Sequence, residues 1–211
     1  MYDLQLTPEQ LQIRDTVRDF VADEVKPIAI RPERLEAPEP PLLIEILGKA
    51  SRMGFRTLAL SEENGGLGAD NLTGCIVTEE LAAGDADIAA ILVETSRLGH
   101  LLFDRMMTPA QRLRFLPNFL ADDRYHLALA DHEPGTENHV GANYHRPSLA
   151  DQSITTEAVQ DGRGNWVING AKSNIRNAPL PNCFLYRSRC STSPAAGRSR
   201  PRCLSLTIRL D

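Results

Sequence analysis

Apolar positions in the first 123 residues recur at helical spacing. Ile13, Val17, Phe20, Val21 and Val25 share one face of a helix that starts at Thr7-Pro8-Glu9-Gln10. There Thr supplies a cap, Pro takes the first helical position and Gln the third. The pattern predicts an end to this helix by Pro27. Ile30 to Pro41 holds four prolines and reads as a connector. Leu43, Ile46, Leu47, Ala50 and Met53 then form a second helical stripe, stopped at Gly54. After a turn from Asn64 to Asp70, helices are expected over roughly 71–84 and 86–105, and Thr108-Pro109-Ala110-Gln111 repeats the capping pattern before Leu113 and Leu116. Every element predicted up to residue 123 is helical.

Beyond Tyr125 the period changes from helical to two. Ile154, Thr156 and Ala158 alternate with polar residues, Asp161-Gly162-Arg163-Gly164-Asn165 supplies a turn, and Trp166-Val167-Ile168 resumes an extended run, which predicts a β-hairpin. Leu204, Leu206, Ile208 and Leu210 alternate with Ser205, Thr207 and Arg209 as a half-buried strand does. The fold class expected is α+β: an all-α helical domain over 1–123, then an antiparallel β-domain over 124–211 that stops in mid-sheet.

With 211 residues, 42% hydrophobic and 24% charged, the chain is long enough for one large or two modest cores. Its net charge of −5, with basic residues spread along it, argues against a nucleic-acid partner. The start lacks a basic and then apolar leader, and the longest apolar run, Ile88 to Val93, is far too short for a membrane span. A cytoplasmic location is expected. Cys75, Cys183, Cys190 and Cys203 form no close pair and read as free thiols. His126, His132, His139 and His145 lie near one another, but their spacing fits neither a helix face nor a zinc pattern, so no metal site is expected. Between Cys183 and Asp211 Arg, Ser and Cys are abundant, a shift that a frameshifted or truncated reading frame would produce; the strand pattern at 204–210 favours instead an in-frame chain that is cut short.

Several features have structural readings. Asn64-Gly65-Gly66-Leu67-Gly68 has no preceding strand, so it reads as a turn between helices rather than a phosphate cradle. Asp85 and Asp87 flank a helix start and read as caps. Glu79 and Glu80 face different sides of a helix, so they form no acid/base dyad. Ile88, Ile91, Leu92 and Thr95 read mostly as core.

The order of helices and strands, together with a set of short motifs, resembles the acyl-CoA dehydrogenase family over nearly the whole chain. The motifs are the opening helix from Leu6 to Pro27, Met53-Gly54-Phe55, Glu63 to Gly68, Glu79-Glu80-Leu81 with Gly84-Asp85, Leu116-Pro117 with Phe119-Leu120, Glu133-Pro134-Gly135, and Asn169-Gly170-Ala171-Lys172 with Ile175 and Asn177. The resemblance implies FAD as cofactor, an acyl-CoA substrate, α,β-desaturation with hydride transfer to the flavin, and an electron-transfer flavoprotein as acceptor. The protein's part in such chemistry is placement and electrostatics. The family's carboxylate base lies beyond the β-domain, in a C-terminal helical domain, so the resemblance assigns no catalytic residue here. That implies inactivity alone, with a partner subunit supplying the domain. Two alternatives of different class are a non-catalytic subunit or pseudoenzyme of a heteromeric acyl-CoA dehydrogenase, and a flavin-dependent monooxygenase of the same fold.

Carried over position by position, the resemblance places Leu129, Asp131 and His132 against the flavin pyrimidine, with Asp131 and His132 standing where small or hydroxyl residues are usual. Asn138 takes the place of the family's Ser. Asn174 stands where an aromatic residue is typical and Arg176 where a Thr or Ser is. A lost stacking face and a lost hydroxyl each forfeit about 1 kcal/mol, so FAD affinity is expected to fall by roughly one to two orders of magnitude. The stretch Asn143 to Gln152 also departs from the family.

Overall fold

Thr7 and Thr108 build the same helix start twice. The Gln10 amide donates to Thr7 Oγ1 at 3.2 Å while the Thr7 amide donates back to Gln10 Oε1 at 3.0 Å. Thr108 and Gln111 repeat the exchange at 3.3 and 2.9 Å. Each box satisfies amides that the first turn leaves without a helical partner. The computed structural model describes residues 5–31, 43–134, 155–161, 163, 165–177, 181–191 and 203–208. The chain divides into two units, 1–126 and 127–211.

The first unit is helical. Helix α1 (Pro8–Phe20) continues through a π-turn (Val21–Val25) into α2 (Lys26–Ala29). The helical course therefore passes Pro27 instead of ending there. Pro27 lies in the first turn of α2 and has no N–H to donate; the last bond of the π-turn, from the Lys26 amide to the Val21 carbonyl, falls just before it. Next come α3 (Leu43–Arg52), α4 (Asn71–Ala82), α5 (Ala86–Gly99), a second π-turn (His100–Met106) and α6 (Pro109–Ala121). Val17, Leu47, Leu81, Leu92, Leu98 and Phe119 are among its fully buried side chains. Ile88, Leu92 and Thr95 are core as the stripe predicts, whereas Met53 is 37% exposed, one residue past the end of α3. Asp85 Oδ1 accepts from the Asp87 and Ile88 amides at 2.9 Å, the cap the sequence implies for Asp85. Glu80 pairs with Arg18 of α1 at 2.8 Å.

The Gly-rich turn is closed on itself. The amides of Gly65, Gly66, Leu67 and Gly68 donate to the carbonyls of Glu62, Ser61, Thr57 and Leu60. None is left pointing outward for a phosphate. A Cβ on Gly66 would sit 2.1 Å from the Leu60 carbonyl oxygen, so only glycine fits.

The strands are β1 (His126–Ala130), whose first residue closes the first unit, and, within the second unit, β2 (Glu157–Gln160), β3 (Trp166–Asn169), β4 (Pro181–Ser191) and β5 (Cys203–Ile208). The order is β1-β4-β2-β3, with β5 also paired to β4. β2–β3 is the antiparallel hairpin expected, with Ala158 opposite Ile168, and β4–β5 is antiparallel, while β2 and β4 run parallel. Asp161 organises the hairpin turn: its Oδ1 accepts from the Arg163 and Asn165 amides at 2.8 Å. Thr156 and Ala158 are buried, which follows the predicted alternation, and Val167, in the extended run Trp166-Val167-Ile168, is half-exposed. Ile154 lies outside the described residues. Helices followed by a sheet make up the α+β class expected, and no described helix is long and apolar enough to cross a membrane.

Candidate functional site

Chemistry-bearing side chains of the second unit collect around one carboxylate. Glu133, at the end of the segment that follows β1, is 4% exposed. Its Oε2 accepts from the Thr155 amide at 2.7 Å and the Thr155 hydroxyl at 2.6 Å. Its Oε1 accepts from the Thr156 amide at 2.8 Å and from Lys172 Nζ at 2.9 Å. Burial works against the ionised carboxyl, but the hydrogen bonds from Thr155 and Thr156 outweigh it and hold Glu133 far below the usual carboxylate range. Gly170 makes room for this seat: with φ at 146°, a Cβ there would meet Thr156 Cα at 2.7 Å.

The same segments are joined along their backbones. The Ser173 amide donates to the His132 carbonyl at 3.0 Å, and Asn177 Nδ2 donates to the Leu127 carbonyl at 3.0 Å. Asn174 and Asn177 take left-handed φ values of 49° and 62°. Such values favour Asn or Gly over other residues and cluster at ligand-holding loops.

Most of the residues carried over from the resemblance fall on these two segments. Leu129 is half-buried in β1. Asp131 and His132 follow it, half-buried, with His132 Nε2 3.3 Å from Asp131 Oδ1. Asn174 and Arg176 are exposed on the loop fastened alongside. Asn138 lies outside the described residues, as do His139, His145 and the stretch 143–152. Glu133 and Lys172 were legible only as letters of two motifs. Nothing in periodicity or spacing links charges 39 residues apart, and their pairing emerges from the fold.

Two further polar clusters lie in the helical unit. Asp104 Oδ1 accepts from Ser61 Oγ and Asn64 Nδ2, both at 2.7 Å, while Oδ2 accepts from the Ser61 amide at 3.0 Å and lies 2.6 Å from His100 Nδ1. Burial opposes the charged form, but these bonds prevail and keep Asp104 below its ordinary value. The Ser61 proton is committed to the carboxylate, which makes the cluster a latch on the turn rather than a nucleophile with its base. His126 is 3% exposed and 3.4 Å from Thr95 Oγ1. Burial, and then the charge of Arg56, push its pKa down to about 4, so it is neutral near pH 7. Arg56 is itself 2% exposed, donates to the Tyr125 carbonyl at 3.2 Å and lies over the Phe119 ring at 4.4 Å.

Among the described residues no group of three or more His, Cys, Asp or Glu side chains is arranged to hold a metal ion.

Comparison with known proteins gives one consistent answer. The family model for the acyl-CoA dehydrogenase N-terminal domain matches residues 7–123. The acyl-CoA dehydrogenase of Bacillus subtilis is 28% identical over 196 residues, which cover 92% of this chain and 46% of that protein. The short-chain specific acyl-CoA dehydrogenase of Clostridium acetobutylicum is 30% identical over 184 residues, 87% of this chain and 44% of its own. The crystal structure of an acyl-CoA dehydrogenase complexed with FAD from Bacillus anthracis shares the fold, with a TM-score of 0.71 and 24% identity over 90% of this chain and 31% of that one. The chain thus spans less than half the length of the curated relatives it matches. With more than half of its residues matched by the family model, the chain belongs to the acyl-CoA dehydrogenase family.

Proposed function

We propose that this chain contributes the helical and β parts of an acyl-CoA dehydrogenase-type flavoprotein, with FAD held by the second unit and an acyl-CoA thioester as substrate. One observation carries the reading: the two segments that hold Leu129, Asp131, His132, Asn174 and Arg176 are fastened side by side through Glu133–Lys172 and Ser173–His132. The donor set fits a flavin edge of alternating carbonyls and ring nitrogens. Asp131 offers only acceptors, Arg176 only donors, and His132 and Asn174 offer both. In this reading Asn138 supplies a further amide, and Leu129 gives an apolar flank. Arg176 would offer a permanent cation to the negative charge of a reduced flavin or of its phosphates. When bound, the flavin supplies the two-electron acceptor for oxidation next to a thioester. The chain's own residues bind it, orient it and set the charge around it. No residue of the chain is assigned as catalytic base, and an electron-transfer flavoprotein is the acceptor in this reading.

Exposed Asn174 and Arg176, in place of an aromatic residue and a hydroxyl, favour a second reading. In it the chain is a non-catalytic subunit that buttresses an active partner. One experiment separates the two. The purified chain is incubated with FAD and desalted, and its visible spectrum is recorded beside its circular dichroism. A retained flavin with a protein-perturbed spectrum is expected. A folded sample that keeps no flavin would overturn the first reading and leave the second.

A further inference from the structure

We propose that Lys172 and Glu133 are positioning residues: their buried pair lays the loop 173–177 along the segment that runs from β1 to Glu133, and so fixes where Asn174 and Arg176 stand relative to Asp131 and His132. The proposal deepens the flavin reading and rests on it for the identity of the ligand.

The loop is fastened at three points, in antiparallel order. Lys172 meets Glu133, the Ser173 amide meets the His132 carbonyl, and Asn177 meets the Leu127 carbonyl. Residues 174–176 are left as a short span tied at both ends, with left-handed backbone at Asn174 and Asn177. A short chain tied at both ends has few conformations left to it, so the fastenings decide the position of the side chains between them. Both candidate ligand residues of the loop fall in that span. The remaining described ones, Leu129, Asp131 and His132, fall in the facing segment.

Stability alone accounts poorly for the pair. The side chains of Lys172 and Glu133 are 3% and 5% exposed, and at that depth desolvation offsets most of the attraction between them. An apolar pair of similar volume would hold the two segments together as firmly. It would not fix their register, because apolar contact has no direction. Glu133 does fix it: its two oxygens take four donors, from Thr155, Thr156 and Lys172, and can be seated in one orientation only.

The test compares the wild-type chain with Lys172→Met and Lys172→Arg. The readouts are FAD titration, the shape of the bound flavin's visible bands, thermal unfolding, and amide hydrogen exchange. Lys172→Met is expected to weaken FAD binding about tenfold or more and to change the band shape at a temperature where the chain is folded, and Lys172→Arg to restore much of both. A lower melting temperature, with affinity within about twofold and an unchanged band shape, would show a merely structural role and overturn the proposal. If Lys172→Met fails to fold, Lys172→Gln keeps a donor without the charge and is held to the same criteria. If the wild-type chain takes up no FAD, the flavin reading fails by itself and hydrogen exchange decides the pair. Faster exchange confined to 131–133 and 173–177 in the variant supports positioning; unchanged exchange there overturns it.

Discussion

Among the described residues, the two units are held together by different contacts. In the helical unit the stabilising contacts are dispersed: apolar side chains such as Val17, Ile46, Leu81, Leu92 and Phe103 are buried across several helices, and polar groups act at helix caps and in separate small clusters such as Asp104 with Ser61 and Asn64. In the sheet unit the described buried apolar side chains are small apart from Leu127, namely Ala128, Ala130 and Ala158, and a saturated carboxylate at Glu133 joins three segments. Apolar contacts are graded, so each loss in the first unit costs in proportion to the volume removed. A polar network is directional, so a loss at Glu133 affects every segment it joins. Residues that meet a ligand gain from the second arrangement, because position matters more there than cohesion.

The largest effect expected lies in the helical core. Phe119 is fully buried, with ring centroids 5.0 Å from Phe103 and 5.7 Å from Tyr125, and the Arg56 guanidinium rests on its face. Phe119→Ala should cost about 3–5 kcal/mol. Leu113 lies on the same helix but is 81% exposed, and Leu113→Ala should stay within about 0.5 kcal/mol. Urea unfolding followed by far-UV circular dichroism measures both. Similar losses at the two positions would show that burial does not grade this unit and would remove the contrast.

Acid should act on the two units in different windows. His126 has its pKa lowered from 6.5 to about 4, so the unfolded chain binds the extra proton first. Its contribution is present above pH 6.5 and is lost as pH falls toward 4, an order-of-magnitude loss of about 3 kcal/mol. The Glu133 carboxyl is depressed below its ordinary 4.5, so its contribution is present above that pH and is lost only as pH falls further. The single tryptophan, Trp166, lies in β3, so its fluorescence follows the sheet unit while far-UV dichroism follows the helices. The dichroism midpoint is expected to decline at milder acidity than the fluorescence midpoint. Coincident acid limbs would mean that the chain unfolds as one cooperative body.

The same contrast explains what the sequence made legible. The helices could be read from Ile13, Val17 and Phe20, or from Thr108-Pro109-Ala110-Gln111, because periodicity and capping are local in the chain. The hairpin at Asp161 was legible for the same reason. The continuation through Pro27 was not, since proline reads as a helix stop and the π-turn ahead of it forms only in the folded backbone. The seat of Glu133 was beyond local reading altogether: its partners lie 22 to 39 residues away, and no side-chain period connects them. The closed Gly65–Gly68 turn falls between these cases. Its role as a turn could be argued from the missing strand, but the carbonyls that take its amides are visible only once the helices are packed.

The smallest effect concerns the two capping boxes, where one local device occurs in two settings. Helix α1 runs on through a π-turn and buries Val17 and Phe20, whereas α6 carries an internal Pro117 and buries only Phe119. If packing set the value of a cap, Thr7→Ala and Thr108→Ala would differ. The first turns argue otherwise: the amides freed are those of Gln10, half-buried, and Gln111, exposed, in turns whose Pro8, Glu9, Pro109 and Ala110 are all exposed, so they meet water and not the core. Each change should therefore cost about 1 kcal/mol in urea unfolding, with the two losses equal within a few tenths. Clearly unequal losses would show that the dispersed packing of the helical unit reaches its helix ends, and would narrow its difference from the sheet unit, where the seat of Glu133 depends on distant partners.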